Sequence, residues 1–266
     1  MKKISLIILS VLFLLMGCYW GKNISPKLLK SSLVVIYPPE ARAKRIEGKV
    51  GLSILIGKDG KVKDTQLVKT SGYPILDDAA LQIARLARFR PAKINGKHKQ
   101  VWVGWTLIFK IKPQKVDPPK WEKDVLRLKD RIKKTTGTER NQLIQELFFR
   151  YKDFAEYLID HPEVNDNKYL RFAVDQSVQK RWQLFWGTYS SPFVLFDDFT
   201  TLYPGSEFSP DAGLYLRQYL RFALKDLQGK KMFLSASLKE ELIQQLKEYL
   251  RKMEKQNRET GQFGPR

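Results

Sequence analysis

Cysteine occurs once in the 266 residues, at Cys18, and histidine twice, at His98 and His161. One cysteine cannot close an internal disulfide, and a zinc site needs three or four ligands drawn to one point. Two histidines 63 positions apart offer no such cluster, so neither a metal nor another cofactor is expected. The adjacent acidic pairs are Asp77-Asp78, Asp197-Asp198 and Glu240-Glu241. A neighbouring pair can ligate a cation, yet Asp197-Asp198, read here as part of a long loop, lacks the other ligands. Asp77 or Asp78 reads as a helix cap, accepting bonds from unpaired backbone N–H groups. His161, before Pro162, reads as a helix-end residue that meets terminal carbonyls. Residues 33–112 hold no Ser/His/Asp grouping, no phosphate-cradling loop and no paired-carboxylate motif, so they read as a binding module rather than an enzyme.

Cys18 has chemistry of a different kind. Lys2 and Lys3 precede an apolar run of 14 residues, 4–17, which is shorter than the ~20 that a spanning helix needs. The run ends in Leu15-Met16-Gly17-Cys18, which resembles a bacterial lipobox. That resemblance implies a signal peptide over 1–17, acylation of the Cys18 sulfur and a tether over 18–32. The processed chain would have 249 residues and would be held at a membrane facing the periplasm by its acyl chains. Tyr19 stands where an acidic residue marks inner-membrane retention in similar lipoproteins, so the outer membrane is favoured.

Charge agrees with an envelope setting. Lys and Arg number 48 against 28 Asp and Glu, a net +20, while 43% hydrophobic and 12% aromatic residues exclude disorder of the whole chain. Residues 26–112 carry 18 basic and 6 acidic residues, and residues 113–266 carry 27 and 22, so the basic character sits mainly in the first third. On an exported chain such a field faces lipid headgroups, peptidoglycan or envelope proteins, and nucleic acid is not expected as a partner.

The elements that must position these surfaces follow from periodicity. Val50, Leu52, Ile54 and Ile56 alternate as on a half-buried strand, Gly57-Lys58-Asp59-Gly60 signals a turn, and residues 61–70 complete a hairpin. Ser71-Gly72-Tyr73-Pro74 breaks it, and residues 76–88 read as a helix with an acidic start and a basic end. Asn95-Gly96 marks another turn, and residues 101–111 alternate as a long third strand. The order is strand, strand, helix, strand.

These residues resemble the C-terminal domain of TonB-type energy transducers. The matching positions are Tyr37-Pro38 with Ala41, Gly48 and Val50, Asp59-Gly60 with Val62, Ser71-Gly72 with Leu76-Asp77 and Ala79-Ala80, Phe89-Arg90-Pro91-Ala92, and a closing strand that ends at Phe109. The family often has a proline before the terminal hydrophobic pair, whereas Trp105-Thr106-Leu107 stands here and Thr106 keeps its N–H. The resemblance implies recognition of an extended receptor segment by strand addition to an exposed sheet edge, with main-chain bonds giving affinity and alternate side chains giving selectivity. The last strand is then the candidate edge, with Val101, Trp102, Val103, Thr106, Ile108 and Lys110 as candidate contacts. Trp102, Thr106 and Lys110 face outward in one register and the Trp105 set in the other; both tryptophans serving as core is an equal alternative. A full transducer also has a transmembrane helix and a long proline-rich spacer. The short run and short tether here do not match these, so direct transduction of proton-motive force is not expected.

After residue 112 the composition changes. Residues 113–120 read as a proline-rich linker, and 121–255 as an all-helical domain with five apolar stripes. Those stripes centre on Trp121 to Ile132, Leu143 to Leu158, Tyr169 to Trp186, Leu216 to Leu227, and Leu238 to Met253, the last opening near Ser235 or Ser237. Residues 256–266 read as a frayed tail. The aromatics of this half, among them Trp182, Phe185, Trp186, Tyr189 and Phe193, read as core ahead of a peptide or glycan groove. The fold class is thus α+β: a TonB C-terminal-like β-β-α-β module followed by an all-α helical domain. Two functions compete. One is a noncatalytic membrane-tethered adaptor that pairs with an envelope protein, TonB-dependent receptors among the candidates. The other is an envelope enzyme, or a glycan or peptidoglycan binder, in which the helical domain acts and the basic module localises it. A homodimer through exposed strands stays open.

Overall fold

The computed structural model describes residues 23–29, 36–162, 164, 167–186, 191–229 and 234–260. Cys18, the apolar run, most of the tether, Tyr189 and the last residues of the tail lie outside them. The chain forms two compact units, one holding residues 23–29, Lys49–Ser71 and Ala80–Leu107, the other 36–48, Gly72–Ala79 and the described residues from Ile108 onward. They interleave along the chain, whereas the sequence reading sets its boundaries end to end.

The sheet-bearing unit is built on strands β1 (Lys27–Leu28), β2 (Gly48–Ile56) and β3 (Val62–Lys69). Val50, Leu52, Ile54 and Ile56 are buried in β2, as their alternation requires, and the residues between them are half-buried. β3 pairs antiparallel with β2, placing Leu52 opposite Leu67 and Ile54 opposite Thr65. The connecting turn is closed by the Gly57 N–H donating to the Lys61 carbonyl at 2.9 Å and the Gly60 N–H to the Gly57 carbonyl at 3.0 Å. Gly60 takes φ +78°, and any Cβ there would collide with the Phe89 carbonyl oxygen.

Next comes helix α2 (Pro74–Leu86), numbered after a short α1 (Pro39–Ala43) that precedes β2. The helix opens at Pro74, two residues before the expected start, because proline at the first position lacks only an N–H that would be unpaired anyway. The expectation that Asp77 or Asp78 caps it is corrected accordingly. Asp77 falls inside the first turn, where a carboxylate meets the positive end of the helix dipole. Beyond α2 lie β4 (Phe89–Arg90), β5 (Ala92–Ile94), β6 (Lys97–Lys99) and β7 (Val101–Phe109). β1 pairs with β4, β5 pairs with β6, and β7 lies beside β2 in a three-stranded sheet of order β3-β2-β7.

The second unit is helical: α3 (Pro118–Lys134), α4 (Gly137–Asp160), α5 (Asn167–Ala173), α6 (Gln176–Arg181), α7 (Phe193–Leu202), α8 (Ser209–Gly229) and α9 (Ala236–Thr260), with a 3-10 turn at Gln183–Phe185. Trp121, Val125, Leu128 and Ile132 are the buried stripe of α3, and Leu143, Leu147, Tyr151, Phe154 and Leu158 lie in that of α4. The expected linker over 113–120 ends early, because Asp117 accepts a 3.3 Å bond from the Lys120 N–H and so caps α3, with prolines at its first two positions. The expected single stripe from Tyr169 to Trp186 is two helices and a 3-10 turn. Asp175 interrupts it by accepting from the Ser177 N–H at 2.9 Å, starting a new helix there. Ser235 caps α9, its hydroxyl accepting from the Leu238 N–H at 3.2 Å. That helix runs five residues past the expected domain end at 255.

Asp197 and Asp198 are not in a long loop. They lie in α7, where residues 193–199 are all buried. A helix buried nearly all round shows no extended polar face, which is why its sequence carries no helical period. No helix among the described residues is long and apolar enough to cross a membrane.

Candidate binding edge and buried charge networks

β7 is nine residues, VWVGWTLIF, seven of them β-branched or aromatic and none acidic, and it forms one edge of the three-stranded sheet. The even-numbered positions are exposed and the odd ones covered, with Trp102 at 46%, Ile108 at 56% and Thr106 also open, while Leu107 and Phe109 are buried. Lys110 continues the outward row one residue past the strand. Val101 and Val103 sit half-buried on the opposite face. The candidate contacts therefore divide into an outward row of Trp102, Thr106, Ile108 and Lys110 and an inward pair. The two tryptophans differ: Trp102 projects to solvent, and Trp105 meets Phe89 edge-on with centroids 5.8 Å apart. Five successive outward positions, on a strand with no further partner among the described residues, suit main-chain pairing with an extended peptide.

In the helical unit the chemistry-bearing groups are consumed by one another. Arg42, on α1, is 2% exposed although it is a cation. Its guanidinium donates to Asp160 through Nε at 3.1 Å and Nη2 at 2.7 Å, to Glu156 at 2.9 Å and to the Lys112 carbonyl at 3.0 Å. Burial disfavours the cation, yet the Asp160 bond and the Glu156 and Asp160 charges outweigh it, so the Arg42 pKa rises. Beside it, the Tyr37 hydroxyl donates to the Ile46 carbonyl, and burial with the nearby Glu47 charge pushes its pKa up to about 12.

A second network surrounds the α7 aspartates. Asp198 accepts from Lys129 at 2.6 Å, from the Tyr151 hydroxyl at 2.7 Å and from the Asp175 N–H at 2.6 Å. Desolvation nevertheless dominates, and the Asp198 pKa is raised. Asp197 turns the other way, accepting from Arg181 at 2.5 Å, Trp182 Nε1 at 2.6 Å and the Tyr249 hydroxyl at 2.5 Å. The two carboxylates thus face separate partners instead of converging on a cation. Among the described residues no group of three or more His, Cys, Asp or Glu is placed to hold a metal. His161 ends α4, its backbone N–H and its Nδ1 each 3.0 Å from the Tyr157 carbonyl. Trp182, Phe185 and Phe193 are fully buried, their rings in edge contact with one another, so they build core and line no groove.

Sequence reasoning missed Arg42 and Lys129 as network members. Their partners lie 114 and 69 residues away, and no local spacing announces them.

Among the described residues, β7 stands at the edge of its sheet with an outward row of side chains. Residues 34–111 match the family model of the Gram-negative bacterial TonB protein C-terminal. The solution structure of the Pseudomonas aeruginosa TonB C-terminal domain is 26% identical over 34% of this chain and 91% of its own, with a TM-score of 0.28. A search of curated proteins gave no match.

Proposed function

We propose that this protein is a noncatalytic envelope adaptor that pairs, through the open edge of β7, with an extended segment of an outer-membrane or periplasmic protein, TonB-dependent receptors first among them. The observation that carries this reading is the sheet order β3-β2-β7 together with the outward row Trp102, Thr106, Ile108 and Lys110. The family match over residues 34–111 supports it. We further propose that acylated Cys18 holds the chain at a membrane facing the periplasm, the outer membrane favoured, which the lipobox-like Leu15-Met16-Gly17-Cys18 supports. Part of a TonB-dependent transport system is the setting this combination fits.

Calorimetry with the full chain and peptides from receptor N-terminal segments tests the pairing. Alternate N–H groups of a strand point to opposite sides, so Val103→Pro and Thr106→Pro differ in which ladder they interrupt. One of the two is expected to weaken peptide binding at least about tenfold, the loss of roughly one to two main-chain bonds, in a variant whose circular dichroism is unchanged. Parent-like affinity in both folded variants, or no peptide binding by the parent, removes the proposal. Intact-mass measurement of membrane-extracted protein reads the acyl chains on Cys18 directly, and their absence from the parent refutes the anchor.

A further inference from the structure

The first described residues do not dangle from the sheet-bearing unit. The Ile24 N–H donates to the Lys93 carbonyl at 2.8 Å, the Lys93 N–H returns to the Ile24 carbonyl at 2.9 Å, and the Asn95 N–H donates to the Asn23 side-chain oxygen at 3.3 Å. Lys27 and Leu28 then pair with Arg90 and Phe89. The chain leaving position 18 is therefore fastened, from Asn23 onward, alongside the β5–β6 hairpin.

That hairpin and its neighbour are basic without exception. Residues 23–29 and 88–99 hold Lys27, Arg88, Arg90, Lys93, Lys97 and Lys99, with His98, and no Asp or Glu. All six cations and His98 are exposed. Lys27 stands directly opposite Arg90, and Lys93 opposite His98. The like charges of Lys27 and Arg90 in facing positions destabilise their ladder, so an anionic surface supplied from outside would relieve the arrangement. Three large apolar side chains are exposed among them, Ile24 at 47%, Leu29 at 39% and Ile94 at 37%. Exposed aliphatic side chains set within a field of lysines are the composition of a surface that rests on headgroups and dips apolar groups into the interface.

We infer that the β5–β6 hairpin, with the segment 23–29 beside it, is the face this protein lays against a bilayer rich in anionic phospholipid. The inference rests on the lipid-anchor reading for its geometry. Four residues separate Asn23 from Cys18, and the five steps between them, at most ~3.5 Å each, reach no more than about 18 Å, roughly two Debye lengths at physiological ionic strength. An anchor on so short a leash brings this edge of the sheet unit, before any other, within range of the headgroup charge. The hairpin thereby sets how the sheet unit is presented to the periplasm, beyond merely keeping it at the membrane.

Lysine footprinting of the full chain tests this. The membrane-extracted protein is reconstituted into phosphatidylcholine vesicles with and without phosphatidylglycerol, treated with an amine-acylating reagent, and read by peptide mass spectrometry. Labelling of Lys93, Lys97 and Lys99 is expected to slow about fivefold in the anionic vesicles, the equivalent of roughly 1 kcal/mol per basic residue at such a surface, and to recover at high salt. In a Lys97→Gln/Lys99→Gln variant the protection of Lys93 is expected to fall as well. Both positions are exposed, so the fold is not at stake. Equal labelling in the two vesicle types overturns the inference, as does protection by added peptidoglycan with none by phosphatidylglycerol. The intact mass of the same sample reports Cys18 acylation separately. An acylated chain without protection sinks the hairpin and leaves the anchor, whereas protection without acylation supports the hairpin and removes the anchor.

Discussion

The two units treat charge in opposite ways. In the sheet-bearing unit the lysines and arginines named above stand in solvent on or beside β1, β4, β5 and β6, and the edge of β7 has no neighbour among the described residues. In the helical unit the charges that matter are interior: Arg42 with Glu156 and Asp160, Asp198 with Lys129, Asp197 with Arg181. Exposed charge in water contributes little to stability and remains available to a partner. Buried charge contributes through completeness, because taking away one member strands the others in a medium that cannot solvate them. The contrast separates a surface kept ready for binding from an interior kept rigid by mutual satisfaction.

The largest break in this contrast comes from Arg42→Ala. It leaves Glu156 with Lys152 at 2.7 Å and Asp160 with only Arg45 at 3.8 Å, and urea denaturation is expected to show a loss of about 3 kcal/mol, the low end for a broken buried pair. A fragment of residues 33–112 alone, which also lacks both carboxylates, is expected to melt well below the same segment in the full chain. A loss under 1 kcal/mol in Arg42→Ala would mean that this triad is far wetter than its 2–4% side-chain exposure indicates.

Gly60→Ala should act in the other unit. The left-handed backbone at Gly60 alone costs roughly 1–2 kcal/mol for a residue with a Cβ, and the Phe89 carbonyl must also move aside. Hydrogen exchange should speed up in β2 and β3 and stay unchanged in α8. Equal acceleration in both would mean that the two units unfold together.

Alkaline pH sharpens the comparison further. Tyr37 in its folded setting ionises at about 12 against an ordinary 10, so the neutral phenol binds its proton more tightly in the native state. The corresponding stability is fully present below pH 10 and lost as pH rises through 12. Tyr37→Phe is expected to flatten that part of the stability profile, measured as denaturation midpoints across the window. At the small end, Lys134→Ala removes an exposed i,i+4 pair with Asp130 and should shift stability by no more than about 0.5 kcal/mol.

Much of this arrangement is legible in the residues. The alternation of Val50 to Ile56 and of residues 101–109 reports half-buried strands because one face of each meets the core. The stripes beginning at Trp121, Leu143 and Leu216 report helices for the same reason at a different period. What stays hidden is whatever lacks a two-faced pattern. Phe193 to Leu202 is buried nearly all round and shows no helical period. β5 and β6 are three residues each, and the lysine-rich β6 carries no apolar alternation, so only their Asn95-Gly96 turn is visible. On the site, the edge strand can be found from the sequence, but which of its faces looks outward depends on how β7 sits against the core. Arg42 looks like one more solvated cation in a basic segment. Its burial is a tertiary fact, set by carboxylates more than a hundred positions downstream.

Because α1 packs against α4 and α8, the helical unit owns a piece of chain that precedes β2, which makes the strands from β2 to β7 an insertion within it. Proteolysis should feel this. A single proteolytic nick in residues 113–117 would sever Arg42 from covalent connection to its counter-charges, and α1 could then leave at the cost of one local opening. The short proline-rich stretch would thus serve as a fuse, converting one clipped peptide bond into the clearance of the whole molecule. On a gel of a timed digest, that behaviour would appear as parent fading with little accumulation of a stable half.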